Sequence, residues 1–172
     1  DLDELGGHDP YSSSKAAADI ATQSWVASFD KKNVSIARAG NVIGGGDVCA
    51  DRLVPDILRN VDANRPTQLR YPNAIRPWQH VLDCLDGYLT LLANWANLES
   101  GSAWNVGPDP ESQLTVQALT HQMYKALVLA PNFNLPSDAD LKESMTLTLD
   151  ISKLRREFGY ESRLSLEETI EW

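Results

Sequence analysis

Residues 33–47, NVSIARAGNVIGGGD, constrain the fold more than any other stretch of this chain. Val34, Ile36 and Val42 are β-branched and favour extended backbone. The run then meets Gly40 and the consecutive Gly44, Gly45 and Gly46, which free the backbone where a strand would end. The segment is predicted to be one buried strand passing into a flexible glycine turn. Helical patterns flank it. Upstream, DPYSSSKAAADIATQSW (9–25) offers Asp9 as a cap and Pro10 at the first helical position, and Ala16, Ala17, Ile20 and Ala21 carry the helix forward. Downstream, DRLVPDILRNVDAN (51–64) reads as a short helix with Pro55 near its start. A strand set between helices is the unit of an α/β fold, and open sheets of that kind bind ligands at the carboxyl ends of their strands.

The alternation continues. TQLRYP (67–72) reads as a strand, and AIRPWQHV (74–81) as a second extended piece, because Pro77 disfavours helix before it. Asp83 is expected to cap an amphipathic helix with apolar positions at Leu85, Tyr88, Leu89, Leu92 and Trp95. SAWNVG (102–107) returns as a strand, a helix runs from about Thr115 to Leu129, and a Pro/Asn-rich loop follows at 130–137. MTLTLD (145–150) alternates like a half-exposed strand, ISKLRREF is helical and stops at Gly159, and Ser165 with Glu168 forms a capping box for a last helix. The 172 residues suffice to bury a real core.

A net charge of −9 opposes binding to nucleic acid or to anionic membrane surfaces. No apolar run approaches the ~20 residues that span a bilayer. Cys49 and Cys84 fit neither a disulfide framework nor a CxxC metal site, so a reducing cytoplasm is expected. His8, His80 and His121 are too scattered for a metal centre. The opening DLDELGGHDP is acidic and turn-like, unlike a signal peptide. It is also unlike the first strand and glycine fingerprint of a dinucleotide-binding fold, so the chain is expected to be the later part of something longer.

Tyr11 and Lys15 stand four apart and share a helix face. A free phenol titrates near about 10, and a neighbouring cation lowers that value. Such a pair can take the proton of an alcohol while hydride leaves the same carbon; the plainer reading is a surface tyrosine and a solvated lysine. Asn41 could offer its amide to a phosphate or a sugar hydroxyl, or could simply bond its own backbone in a turn. Between residues 52 and 80 lie Arg52, Arg59, Arg65, Arg70 and Arg76 without a single lysine. Arg59 and Arg65 read as solvated helix residues. Arg70 and Arg76, next to Tyr71 and Trp78, suit a diphosphate beside an aromatic-lined pocket.

YSSSK at 11–15 resembles the Tyr-x-x-x-Lys signature of the extended short-chain dehydrogenase/reductases, the family of nucleotide-sugar epimerases and dehydratases. More closely, LGGHDPYSSSKAAAD, ARAGNVIGGGD, DRLVPDI, IRPWQHVLDCLDGYL and AWNVGP are similar, in order from Leu5 to about Gly107, to the CDP-glucose 4,6-dehydratase branch of that family. The similarity weakens beyond that until LTLDISKLRREFGY. It implies an α/β fold, specifically the carboxy-terminal part of an extended short-chain dehydrogenase. Residues 1–50 would end the Rossmann domain. Residues 51–172 would form mainly the small substrate-binding domain, interleaved with a late Rossmann segment around 74–107.

The resemblance also implies chemistry. NAD stays bound in that family, and the tyrosine, here Tyr11, takes the proton of the sugar 4-hydroxyl as hydride passes to the nicotinamide. Lys15 would hold the cofactor ribose and keep Tyr11 acidic. The 4-ketone then acidifies the C5 proton, water is lost across C5–C6, and hydride returns to C6. Asn41 and Arg76 would contact the nucleotide diphosphate, and Arg52 and Leu53, with Val54 and Pro55, would wrap the nucleotide. Arg70 and His80 are further substrate contacts by the same carry-over. The glycine fingerprint and the Thr/Ser-Asp-Lys segment that serves C5 and C6 are absent, so NAD binding is expected to need the amino-terminal half, and this chain alone to be inactive. A homodimer through the Tyr11 helix is implied, burying Ala16, Ala17, Ala21 and Trp25, although the same face could pack on the chain's own sheet. Another nucleotide-sugar dehydratase or epimerase, or a non-catalytic nucleotide-sugar binding module, are the alternatives.

Overall fold

Asp9 starts the first helix as its sequence position predicts: its Oδ1 accepts from the backbone N–H groups of Tyr11 at 2.9 Å and Ser12 at 3.0 Å. In the computed structural model, which describes residues 4–7, 9–29, 34–136 and 145–172, this helix is α1, Pro10–Phe29. His8 and the end of the loop at 130–137 lie outside the described residues.

The predicted single strand at 33–43 is two strands. β1, Ile36–Ala39, pairs in parallel with β5, Ala103–Val106, whereas β2, Asn41–Ile43, pairs in parallel with β4, Ile75–His80. The chain changes sheet at Gly40. A Cβ there would lie 2.7 Å from the Pro77 ring and 3.0 Å from its carbonyl oxygen, so only glycine lets the corner approach β4. Nor is the strand fully buried: Ala37, Ala39 and Val42 face outward, in the alternation a one-sided sheet gives.

β4 continues antiparallel to β6, Gln113–Thr115. A third, two-residue pairing joins β3, Thr67–Gln68, to β7, Phe133–Asn134, so only the start of the predicted 67–72 strand forms. Residues 145–150 form no strand; one bridge ties Thr146 to Ile75, and the alternation there finds no longer partner.

Two apolar clusters hold these pieces. In the first, Ile43 and Trp78 of the β2–β4 sheet pack with Ile57 of α2 (Leu53–Asp62), Leu119, Met123 and Tyr124 of α4 (Val116–Ala126), and Leu166 of α6 (Leu166–Glu171). In the second, Trp104 and Val106 of β5 pack with Leu91 of α3 (Val81–Ala93), Leu154 of α5 (Ser152–Phe158), Ile151 and Tyr160. Gln79 of β4 spans toward the second cluster, its Nε2 donating to the Val106 carbonyl at 3.1 Å. The capping box at Ser165 and Glu168 forms, and Gly159 ends α5 at φ 67°.

The start of α3 departs from expectation. His80 is its cap, with Nδ1 accepting from the Leu82 N–H at 3.2 Å, and Asp83 lies inside the helix. Asp83 is buried and accepts from Ser162 Oγ at 2.9 Å and from the Arg163 and Leu164 N–H groups at 3.1 Å each. This carboxylate clips the chain leading into α6 onto α3. Asp83→Ala leaves three donors without their acceptor and is expected to lower unfolding free energy by about 2–4 kcal/mol; an unchanged urea midpoint would contradict it. The predicted apolar positions of α3 also lie outward: Leu85, Leu89 and Leu92 are exposed, while Asp83, Cys84, Gly87 and Leu91 make the buried face.

Candidate functional site

The first turn of α1 is arranged so that Tyr11 and Lys15 project while its serines do not. Ser12 Oγ donates to Asp9 Oδ2 at 2.5 Å, Ser13 Oγ to the Gly7 carbonyl at 3.1 Å, and Ser14 Oγ to the Tyr11 carbonyl at 2.7 Å. Each hydroxyl is spent on the backbone or the cap, which fixes the turn. Tyr11 is 66% exposed, and the Lys15 Nζ lies 5.8 Å from its ring centroid. The predicted pair is therefore brought together, on an accessible face.

Two other phenols contrast with it, the buried Tyr160 and the partly covered Tyr88. Tyr160 donates to the Asp83 and Gly107 carbonyls, both at 3.3 Å, and burial holds its pKa far above the ordinary range. Partial desolvation, followed by a hydrogen bond with Cys84, pushes Tyr88 up to about 12. Neither can serve as a base near neutrality.

The other predicted residues gather around the second sheet. Asn41 opens β2 directly opposite Trp78 of β4, and Ile43 stands opposite His80. Alternation along β4 puts Arg76, Trp78 and His80 on one face, shared with Asn41 across the pair. Arg76 is buried, at 6% exposure, and its Nη1 donates to the Ile75 carbonyl at 2.8 Å. His80 is buried, caps α3, and meets the Trp172 ring edge-on at 5.9 Å between centroids. Trp78 donates its indole N–H to the Leu114 carbonyl at 3.0 Å, which locks the ring between Arg76 and His80 along the strand.

Arg52 and Leu53 open α2. Arg52 is exposed and caps the helix with backbone only, while Leu53 is half-buried against the first cluster. Arg70 is exposed and donates Nη2 to the Asp51 carbonyl at 3.1 Å, beside Arg52. Among the described residues, no hydrogen bond or ion pair joins Tyr11 or Lys15 to this second group.

Arg59, expected to be solvated, is exposed but also bonded to the protein. Its guanidinium donates to the Val48 carbonyl at 3.0 Å and the Cys49 carbonyl at 2.9 Å, and pairs with Asp56. Together with Arg70 it pins the loop that follows the glycines, a role that charge counting alone does not distinguish from a free cation. A second arrangement absent from the sequence reading is the ion pair of Arg38 Nε with Asp19 Oδ2 at 2.7 Å, between β1 and α1. Its only sequence signal is that Asp19 falls four residues after Lys15. No group of three or more His, Cys, Asp or Glu residues able to hold a metal occurs among the described residues, and no described helix is long and apolar enough to cross a membrane.

Residues 2–107 match the model of the NAD dependent epimerase/dehydratase family. The CDP-glucose 4,6-dehydratase of Salmonella typhimurium strain LT2 is 38% identical over 178 aligned residues, covering 96% of this chain and 49% of that protein. In structure, the chain is similar to the dTDP-glucose 4,6-dehydratase of Bacillus anthracis str. Ames in complex with NAD, with a TM-score of 0.84, 20% identity, and coverage of 98% of this chain and 51% of that one. It is equally similar to the UDP-glucuronic acid 4-epimerase of Bacillus cereus in complex with UDP-glucuronic acid and NAD, with a TM-score of 0.84, 19% identity, and coverage of 95% and 50%. The chain thus spans about half the length of the relatives it matches. The α/β, Rossmann-like fold read from the sequence is the fold of these proteins.

Proposed function

The chain belongs to the NAD dependent epimerase/dehydratase family, and on that premise we propose that it forms the carboxy-terminal, substrate-binding portion of an NAD-dependent CDP-glucose 4,6-dehydratase, a cytoplasmic lyase that yields CDP-4-keto-6-deoxyglucose. The observation that carries this reading is the Tyr11–Lys15 pair, exposed at a capped helix start with the ammonium 5.8 Å from the phenol ring. The 38% identity to the Salmonella enzyme along nearly the whole chain supports the CDP branch.

An accessible phenol beside a cation fits a site that must take a proton from a sugar hydroxyl next to a nicotinamide cofactor, so the residues present suit NAD. When bound, the cofactor supplies the acceptor and donor of hydride. Tyr11 takes the proton of the 4-hydroxyl at its Oη, and Lys15 stabilises the phenolate while holding the cofactor ribose. Arg76 and Asn41, on one face of the β2–β4 sheet, bind the diphosphate; Arg52 and Leu53 enclose the nucleotide, and Arg70 and His80 border it. The remaining cofactor contacts and the groups serving C5 and C6 belong to the amino-terminal half, without which this chain neither binds NAD nor turns over. The chain divides on this reading into a Rossmann part, residues 1–50 with the segment around 74–107, and a mainly substrate-binding part in the rest of 51–172; each apolar cluster joins the two, Ile43 and Trp78 packing with Ile57 in the first and Trp104 with Leu154 in the second.

The exposed Ile20, Trp25 and Phe29 support a homodimer through α1. Ala17 and Ala21 are exposed as well, so the helix is not covered by the chain's own sheet there.

Calorimetric titration of the complete enzyme with nucleotide sugars tests the substrate. CDP-glucose is expected to bind about 10-fold or more tightly than UDP-, dTDP- or GDP-glucose, a difference of about 1.4 kcal/mol. Equal affinities would reassign the protein to another nucleotide-sugar enzyme.

A further inference from the structure

Asp19 is the buried residue of α1, at 8% exposure, in a 20-residue helix whose Ile20, Trp25 and Phe29 stand open. The group this helix turns inward is thus a carboxylate. Arg38 donates from Nε to its Oδ2 at 2.7 Å, and Gln23 donates from Nε2 to its Oδ1 at 2.8 Å, so both oxygens are engaged. A buried carboxylate is tolerated only where such partners meet it in good geometry, which makes the contact a register mark between α1 and β1. Asp19 follows Lys15 by four residues and Tyr11 by eight, so the three side chains rise along one stripe of the helix. Arg38 stands opposite Asn105 of β5, two residues before the Gly40 corner that leads into Asn41.

We propose that Asp19 and Arg38 are positioning residues for the Tyr11–Lys15 pair. Their ion pair sets the height and rotation of α1 on β1. It also occupies the carboxylate one turn from Lys15, leaving that ammonium to the phenol; among the described residues Lys15 has no carboxylate partner. The consequence for catalysis rests on the function proposed above, whereas the docking of α1 does not.

The test compares Asp19→Asn, Arg38→Met, Arg38→Lys and the double variant Asp19→Asn/Arg38→Met in the complete enzyme. Asp19→Asn and Arg38→Met are expected to lower kcat by about 10- to 100-fold, the cost of a slight misplacement of reacting groups. KM for CDP-glucose should stay within about twofold, because the nucleotide contacts lie elsewhere. Arg38→Lys, which keeps the charge, should retain kcat within about threefold, and the double variant should lose no more than the worse single one, as coupled partners do. Hydrogen–deuterium exchange supplies a readout free of turnover: amides of α1 should exchange faster in the two uncharged variants, with α4 unchanged. Unaltered kcat in the single variants, additive losses in the double, or an Arg38→Lys enzyme as impaired as Arg38→Met would overturn the proposal. A wild-type enzyme inactive on CDP-glucose whose variants still loosen α1 would overturn the proposed reaction and leave the docking role standing.

Discussion

Tyr11→Phe is expected to reduce turnover of CDP-glucose by the complete enzyme about 10²- to 10⁴-fold, the usual worth of a positioned acid–base group. The substitution removes one oxygen from a side chain that is 66% exposed and makes no hydrogen bond through its hydroxyl among the described residues. Neither the helix nor its cap depends on that atom, since the cap is made by Asp9 to backbone N–H groups. Thermal unfolding should therefore be unchanged, and the nucleotide-sugar dissociation constant should stay within about twofold. Steady-state kinetics with calorimetry separates these quantities. A variant that keeps most of its rate would remove Tyr11 from the proton transfer and return the pair to the helix surface.

Arg76→Ala carries the second large effect, on binding. Arg76 is almost wholly buried on β4, and its guanidinium lies against the strand's own backbone at Ile75, on the face shared with Asn41. A buried guanidinium paired with a substrate phosphate is worth about 2–5 kcal/mol when truncated, much of it the cost of leaving the phosphate unmatched. The expected result is a weakening of CDP-glucose binding by that amount. Arg76 is also packed, so unfolding midpoints are measured alongside; a dissociation constant that does not move, in a protein that still folds, would make Arg76 a structural residue of β4.

Local signals survived translation into structure better than long-range ones. Asp9 with Pro10, Ser165 with Glu168, and Gly159 each act within one helical turn, and each does what its residue type dictates. Tyr11 and Lys15 meet for the same reason: four residues on a helix bring side chains together whatever surrounds them. Periodicity found the apolar stripe of α3 but not which face is covered. Leu85, Leu89 and Leu92 satisfy the pattern and face outward, while Gly87, which the pattern ignores, is buried against Val106 and Tyr160 because it has no side chain. A β-branched run cannot announce that Gly40 moves the chain between sheets, since the reason is the Pro77 ring 37 residues later. Asp83 has the residue type of a cap, yet His80 takes that place and Asp83 reaches forward to 162–164. The pairing of Asp19 with Arg38, and of Arg59 with loop carbonyls, depends on which charges the fold brings opposite each other, and composition holds no record of that.

The most direct measurement incubates the complete enzyme with CDP-glucose and NAD and follows the nucleotide sugar by mass spectrometry and NMR. The expected product is lighter by one water, with a ketone at C4 and a methyl group at C6, formed by the wild type and suppressed in Tyr11→Phe. A product of unchanged mass with inverted stereochemistry, or no conversion of CDP-glucose at all, would contradict it.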